Sequence, residues 1–263
     1  MAFFRGDFFS NELLMMTSIN VIIPEGHNNN ELNVVYLLHG LSDNCTGWTR
    51  LTSVERYANE HHVAVIMPEV QRSYYTDMEY GLKYFQYVSK ELIQFAHNMF
   101  NLSTARENTY IAGLSMGGYG AMKCAFAKPE QYAGCAAFSA VCALENMIER
   151  RMPAANMTEL YAIFGLELQV KKEKHDLYKL SKLANEKQEK PRVLMTCGTS
   201  DMLYPQNLEL KEHLEKLDFD YKFMDWAGDH TWDFWDKSLR IALEFFFGVP
   251  TGGTPTPLSD GTK

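Results

Sequence analysis

The chain has 263 residues with a formal charge of −8, and 46% of its residues are hydrophobic. That length can bury a large α/β core, while an acidic balance whose longest basic run is Lys171-Lys172 argues against an electrostatic surface for nucleic acid or anionic membrane. No run approaches the roughly 18 apolar residues of a spanning helix, and the five cysteines are odd in number and form no C-x-x-C pair, so they read as reduced, buried thiols of a cytoplasmic protein.

Met1 to Ser10 is apolar in places but broken by Arg5, Gly6 and Asp7, with Glu12 close behind, and does not read as a signal peptide. Phe8 to Ile23 alternates as antiparallel edge strands do and ends at the turn cluster Pro24 to Asn30. Asn33 to Gly40 is a continuous apolar run of the kind buried on both faces of a parallel sheet, followed by the loop Leu41 to Trp48 and a helix over about Thr52 to Glu60. His62 to Met67 predicts the next buried strand. Leu82, Phe85, Val88, Leu92, Phe95, Ala96 and Met99 recur at helical spacing and predict one long amphipathic helix over Gly81 to Phe100.

Strands are then expected at Tyr110 to Ala112, Ala133 to Val141, Pro191 to Gly198 and Tyr221 to Asp225, with helices after Ser115, over Leu208 to Leu217 and over Ser238 to Phe247. Alternating strands and helices imply an α/β fold with a mostly parallel central sheet and helices on both faces. Residues 143–190 are too long for a plain crossover and read as an insertion over the site, within a single domain of residues 1–250. Residues 251–263 are rich in Gly, Pro and Thr and read as a disordered tail.

The chemistry centres on Gly113-Leu-Ser-Met-Gly117, a G-x-S-x-G pentapeptide placed between a strand-like run and a helix-forming one. A serine on such a turn sits in a strained backbone and needs small neighbours on either side. Its hydroxyl is a poor nucleophile, so Ser115 needs a histidine to take its proton and a carboxylate to hold that histidine. His230 is the one histidine after the last predicted strand, and Asp201, just past the preceding strand, is the favoured acid over Asp225 and Asp229. For a developing oxyanion, the Met116 N–H follows the nucleophile, and the second donor is expected after Gly40, at Leu41 with Ser42 as second choice. His39 reads as a loop-shaping residue. His61-His62 lacks a third ligand at a supporting spacing, so no metal is expected. Ser42, Trp48, Tyr74, Tyr75, Phe164 and Trp232 are the candidate pocket residues.

With these residues assembled, the chain resembles the esterase D and tributyrin-esterase family of α/β-hydrolases, relatives of S-formylglutathione hydrolases and feruloyl esterases. The resemblance runs from about Asn20 to Phe247. It is carried by Leu38-His-Gly-Leu-Ser-Asp-Asn44 with Trp48, Gly113 to Gly120, Cys197-Gly-Thr-Ser-Asp201 and Gly228-Asp-His-Thr-Trp-Asp-Phe-Trp235. It implies the α/β-hydrolase fold and a cofactor-free serine carboxylesterase acting on small-molecule, short-chain acyl esters. The implied triad is Ser115, Asp201 and His230, with the Leu41 and Met116 amides as oxyanion hole. Feruloyl or cinnamoyl, acetyl-xylan and S-formylglutathione hydrolysis are the alternatives within the family, and a hydrolase-fold binding protein with an idle site is the alternative outside catalysis. Leu41-Ser-Asp43 stands where the S-formylglutathione hydrolases typically carry Leu-Thr-Cys. The family often forms dimers or tetramers.

Overall fold

The structure is a computed structural model that describes residues 1–25, 29–149, 156–170 and 173–250. In chain order its strands are β1 (Ala2–Ser10), β2 (Met15–Ile23), β3 (Asn33–Leu38), β4 (Val63–Pro68), β5 (Thr109–Leu114), β6 (Gly134–Phe138), β7 (Arg192–Gly198) and β8 (Tyr221–Trp226). Its helices are α1 (Gly47–Leu51), α2 (Val54–Glu60), α3 (Tyr84–Gln86), α4 (Leu92–Phe100), α5 (Met116–Ala127), α6 (Leu144–Glu149), α7 (Met157–Phe164), α8 (Leu177–Asn185), α9 (Tyr204–Leu214) and α10 (Trp232–Phe247). The predicted long helix is α3 and α4 joined by a π-helical turn over Tyr87–Glu91.

The strands form one sheet in the order β1-β2-β4-β3-β5-β6-β7-β8. β1 and β2 are antiparallel to each other, β2 is antiparallel to β4, and every pairing from β4 to β8 is parallel. The central strands are buried on both faces, which is why β3 and β4 read as unbroken apolar runs. One apolar layer packs β3, β5 and β6 against α4, α5 and α8; the other packs the opposite face against α2 and α10. All five cysteines are free and buried.

Several boundaries differ from the sequence reading: β6 ends at Phe138 rather than Val141, and α9 runs from Tyr204 to Leu214 rather than from Leu208 to Leu217. The first edge strand begins at Ala2 rather than Phe8, because β-pairing with β2 runs the whole way from Ala2↔Ile23 to Ser10↔Met15. The helix expected over Thr52 to Glu60 is α2, which starts at Val54 after the extended residue Thr52, and the extra helix α1 begins within the stretch read as the loop Leu41 to Trp48. The last helix starts at Trp232, six residues early, since Trp232, Trp235 and Leu239 continue the apolar stripe back to the loop that carries His230. The tail at 251–263 lies outside the described residues, as do 150–155 and 171–172 of the 143–190 segment. No helix among the described residues is long and apolar enough to cross a membrane.

Candidate active site

The C-terminal ends of the parallel strands converge on one point, where open α/β sheets place their sites. β5 ends at Leu114 and α5 begins at Met116, so Ser115 alone makes the turn, with φ 53° and ψ −117°. An L residue pays for that conformation in strain. The neighbours explain why it is held. A Cβ on Gly113 would lie 2.5 Å from the Gly117 carbonyl, and one on Gly117 would lie 2.4 Å from Leu38 O and 2.7 Å from His39 O. The two glycines therefore let α5, β5 and the end of β3 pass closer than any side chain permits. Ser115 N–H donates to Phe138 O at 2.8 Å and its carbonyl accepts from Val141 N–H at 3.2 Å, which locks the turn to β6.

His230 sits on the short loop between β8 and α10. Its Nε2 lies 3.1 Å from Ser115 Oγ and its Nδ1 lies 2.8 Å from Asp201 Oδ2. Asp201 comes from the loop after β7; its Oδ1 accepts the Leu203 N–H at 2.8 Å. Burial pushes the Asp201 carboxyl up, but the hydrogen bond and charge of His230, with the Leu203 N–H, win and hold it below the ordinary carboxylate value. Glycine again allows the approach: a Cβ on Gly198 would meet Gly228 O at 2.4 Å, so the two loops carrying the acid and the histidine touch through their backbones. Trp235 stands edge-on to the imidazole at 4.9 Å and backs it. The structure thus brings Ser115, His230 and Asp201 into one hydrogen-bonded chain. Asp225 is instead engaged by the Tyr204 hydroxyl at 2.5 Å, and the Asp229 carboxylate caps the His230 N–H at 2.7 Å.

Met116 is the first residue of α5, so its N–H has no acceptor within the helix and adjoins the positive end of the helix dipole. Leu41, on the loop after β3, lines the same cavity as Met116. That loop is fixed from beneath by His39. Its Nδ1 lies 2.8 Å from Gly40 O, its Nε2 accepts the Val70 N–H at 3.2 Å, and its carbonyl accepts the Tyr75 hydroxyl at 2.8 Å. Both ring nitrogens of His39 thus meet backbone groups, with Glu69 Oε1 3.6 Å from Nε2, which makes the residue a brace for the loop.

The cavity above Ser115 has a volume of about 380 Å³, toward the small end for ligand pockets. Among its lining residues are Leu41, expected as an oxyanion donor, and the candidate pocket residues Ser42, Tyr74 and Trp232. Trp48 stands behind the wall: it is fully buried, its indole N–H donates to Leu38 O at 3.1 Å, and its ring meets Trp232 edge-on at 5.4 Å. Tyr75 and Phe164 are also core, the latter packed on Tyr74 at 6.1 Å. A bulky aromatic in sequence is more often core than wall, and here only the topology separates the two.

Asp43, Arg72, Val141, Met202, Leu203 and Trp235 line the cavity as well and were not among the candidate pocket residues. Asp43 Oδ2 accepts the Gly40 N–H at 3.2 Å, and burial raises its carboxyl above the ordinary value. Arg72 is held by Glu159 of α7, with Nε 2.9 Å from both carboxylate oxygens. None of the described residues of 143–190 lines the cavity; α7 supports its wall from outside, through Glu159 on Arg72 and Phe164 on Tyr74.

The family model named Esterase, described as "Putative esterase", matches residues 10–246. An acetyl esterase of Caldicellulosiruptor saccharolyticus is 30% identical over 264 residues, covering 95% of this chain and 99% of its own. Among solved structures, the fluorophosphonate-binding serine hydrolase FphF of Staphylococcus aureus is 36% identical with a TM-score of 0.87, covering 94% of this chain and 98% of its own. An S-formylglutathione hydrolase, FrmB, from Staphylococcus aureus is 36% identical with a TM-score of 0.83 over the same shares. With a strained serine at a strand-to-helix turn and a family match over nearly its whole length, this chain belongs to the esterase family and is a carboxylic ester hydrolase of the α/β-hydrolase fold.

Proposed function

We propose that this esterase hydrolyses short-chain acyl esters of small neutral alcohols, with Ser115 as nucleophile, His230 as general base and then acid, and Asp201 as the partner of His230. The observation that carries the reading is the imidazole of His230 spanning 3.1 Å to Ser115 Oγ and 2.8 Å to Asp201 Oδ2 at the floor of a small cavity. His230 Nε2 takes the hydroxyl proton as Ser115 Oγ bonds to the ester carbonyl carbon. The oxyanion that forms is met by the N–H groups of Met116 and Leu41, each such donor being worth on the order of 10²–10³ in rate. The tetrahedral species collapses, the C–O bond to the alcohol breaks, and the imidazolium returns its proton to the leaving alkoxide. Water, activated by the same imidazole, then releases the acid from Ser115.

The similarity to FrmB makes glutathione thioester hydrolysis the second reading. The wall chemistry weighs against it. Glutathione brings two carboxylates, whereas the cavity presents Asp43 and an Arg72 already engaged by Glu159. The test is kcat/KM across p-nitrophenyl acetate, butyrate and octanoate, methyl ferulate and S-formylglutathione, with Ser115→Ala as the blank. A maximum at acetate or butyrate, abolished in S115A, is expected. Substantial turnover by S115A refutes the assignment of the nucleophile, and a maximum at the thioester or at ferulate refutes the substrate class.

A further inference from the structure

The outermost strand of the sheet carries a sequence that reads alike in both directions. β1 contains Phe3-Phe-Arg-Gly-Asp-Phe-Phe9, centred on Gly6, with a basic residue on one side and an acidic one on the other. β1 is the terminal strand, paired with β2 on one edge only, and Phe3, Phe4, Arg5, Gly6, Asp7 and Phe9 are all exposed. A nine-residue unprotected edge with phenylalanines at 43% (Phe3) and 55% (Phe9) exposure is a template for another strand. Nothing among the described residues accounts for Gly6. A Cβ there would meet nothing within 4 Å, and Gly6 is not among the glycines of positive φ. Glycine in the middle of a strand weakens it and often marks the place where a second backbone comes close.

We propose that β1 pairs antiparallel with β1 of a second copy of this chain across a two-fold axis through Gly6, joining the two sheets into one of sixteen strands. In that register Arg5 stands opposite Asp7 of the second copy, Phe4 opposite Phe8 and Phe3 opposite Phe9, each twice. Only an antiparallel, self-centred pairing makes every one of these matches, as isologous contacts must. The side chains are already set for it. Ser18 Oγ donates to Asp7 Oδ1 at 2.5 Å, which holds that carboxylate on the Arg5 face of the strand. On the opposite face Phe8 stacks on Phe95 of α4 at 3.8 Å and Phe4 lies against Phe100 at 5.6 Å. Two concavities flank these rings, one lined by Phe4, Met99 and Phe100 and the other by Phe8, Phe9 and Phe95, of about 460 and 440 Å³. A two-fold through Gly6 lays the Phe4 end of one copy against the Phe8 end of the other.

The test is the mass of the chain in solution by light scattering on a sizing column, on the full-length protein at micromolar concentration. The expected species is an even multiple of 30.2 kDa. Arg5→Glu sets Glu against Asp7 twice and halves the mass, while the charge swap Arg5→Glu with Asp7→Arg restores it. Gly6→Cys, for which the chain has room, brings two thiols together at the axis; strand partners lie about 4.5–5.5 Å apart at Cα, within disulfide reach. Mild oxidation then yields a covalent dimer on a non-reducing gel, against a background of five buried native cysteines. A monomeric wild-type chain, an R5E variant of unchanged mass, a charge swap that fails to recover, or a G6C variant that does not cross-link each overturns the proposal.

Discussion

Gly117→Ala tests whether the site depends on the close passage of α5 over the end of β3. The added methyl would stand 2.4 Å from Leu38 O and 2.7 Å from His39 O, both main-chain atoms that cannot turn aside. Reaching an ordinary contact of about 3.4 Å requires α5 and β3 to separate by about 1 Å. Met116 begins α5 and Leu41 follows β3, so the same separation draws apart the two amides proposed to hold the oxyanion. A misplacement of about 1 Å costs on the order of 10²-fold in rate, and overpacking of this kind costs about 1–3 kcal/mol of stability, or roughly 3–10 °C in Tm for a domain of this size. The assay is kcat and KM for p-nitrophenyl acetate beside a thermal melt. The expected result is a fall in kcat with KM little changed, because the amides act mainly on the transition state. A G117A variant with kcat within about threefold of wild type and an unchanged Tm would refute the argument.

Three further outcomes follow from other parts of the site. Asp201→Asn keeps the shape but offers His230 a group that cannot fix the tautomer, and kcat falls on the order of 10⁴-fold; because the Asp201 carboxyl is depressed in the fold, its stabilising contribution is complete above the ordinary carboxylate range and lost as pH falls through the lower folded value, so the Tm gap between wild type and D201N narrows below about pH 4. Asp43→Asn removes a carboxylate from the cavity wall and raises kcat/KM for an anionic acyl ester such as p-nitrophenyl hemisuccinate by on the order of tenfold relative to the butyrate, and an unchanged ratio in a steady-state comparison would show that Asp43 does not face the acyl group. Lys123 is fully buried on α5, donates to Thr76 Oγ1 at 2.6 Å, and is pushed down to about 7 by burial. Between about pH 7 and 10 the unfolded chain therefore holds a proton that the fold releases, stability rises with pH across that window, and Lys123→Met raises Tm more at pH 6 than at pH 9 in paired melts; an equal gain at both would contradict the burial argument.

Much of the molecule was legible in the residues alone, and for local reasons. Runs such as Asn33 to Leu38 and Val63 to Pro68 are apolar on both faces because both faces are covered, and that composition survives any detail of packing. Ser115, Asp201 and His230 could be singled out because each lies just past a strand, where the chain must turn and where a parallel sheet gathers its loops. Gly113 and Gly117 announced the turn between them because no other residue leaves room for it. What the tertiary structure alone decided is which side of each residue faces the cavity. Trp48 and Trp232 are alike in sequence, yet one braces the wall and the other forms it, because α10 begins early enough to slide Trp232 over Trp48. Nothing local in the sequence marks Asp43 or Arg72 as pocket residues, and only the convergence of the β3 loop, the segment after β4 and α7 sets one on the wall and ties the other to Glu159. The edge strand shows the same division: the palindrome around Gly6 is written in the sequence, but its meaning depends on β1 lying at the rim of the sheet, a position fixed by pairings between residues far apart along the chain.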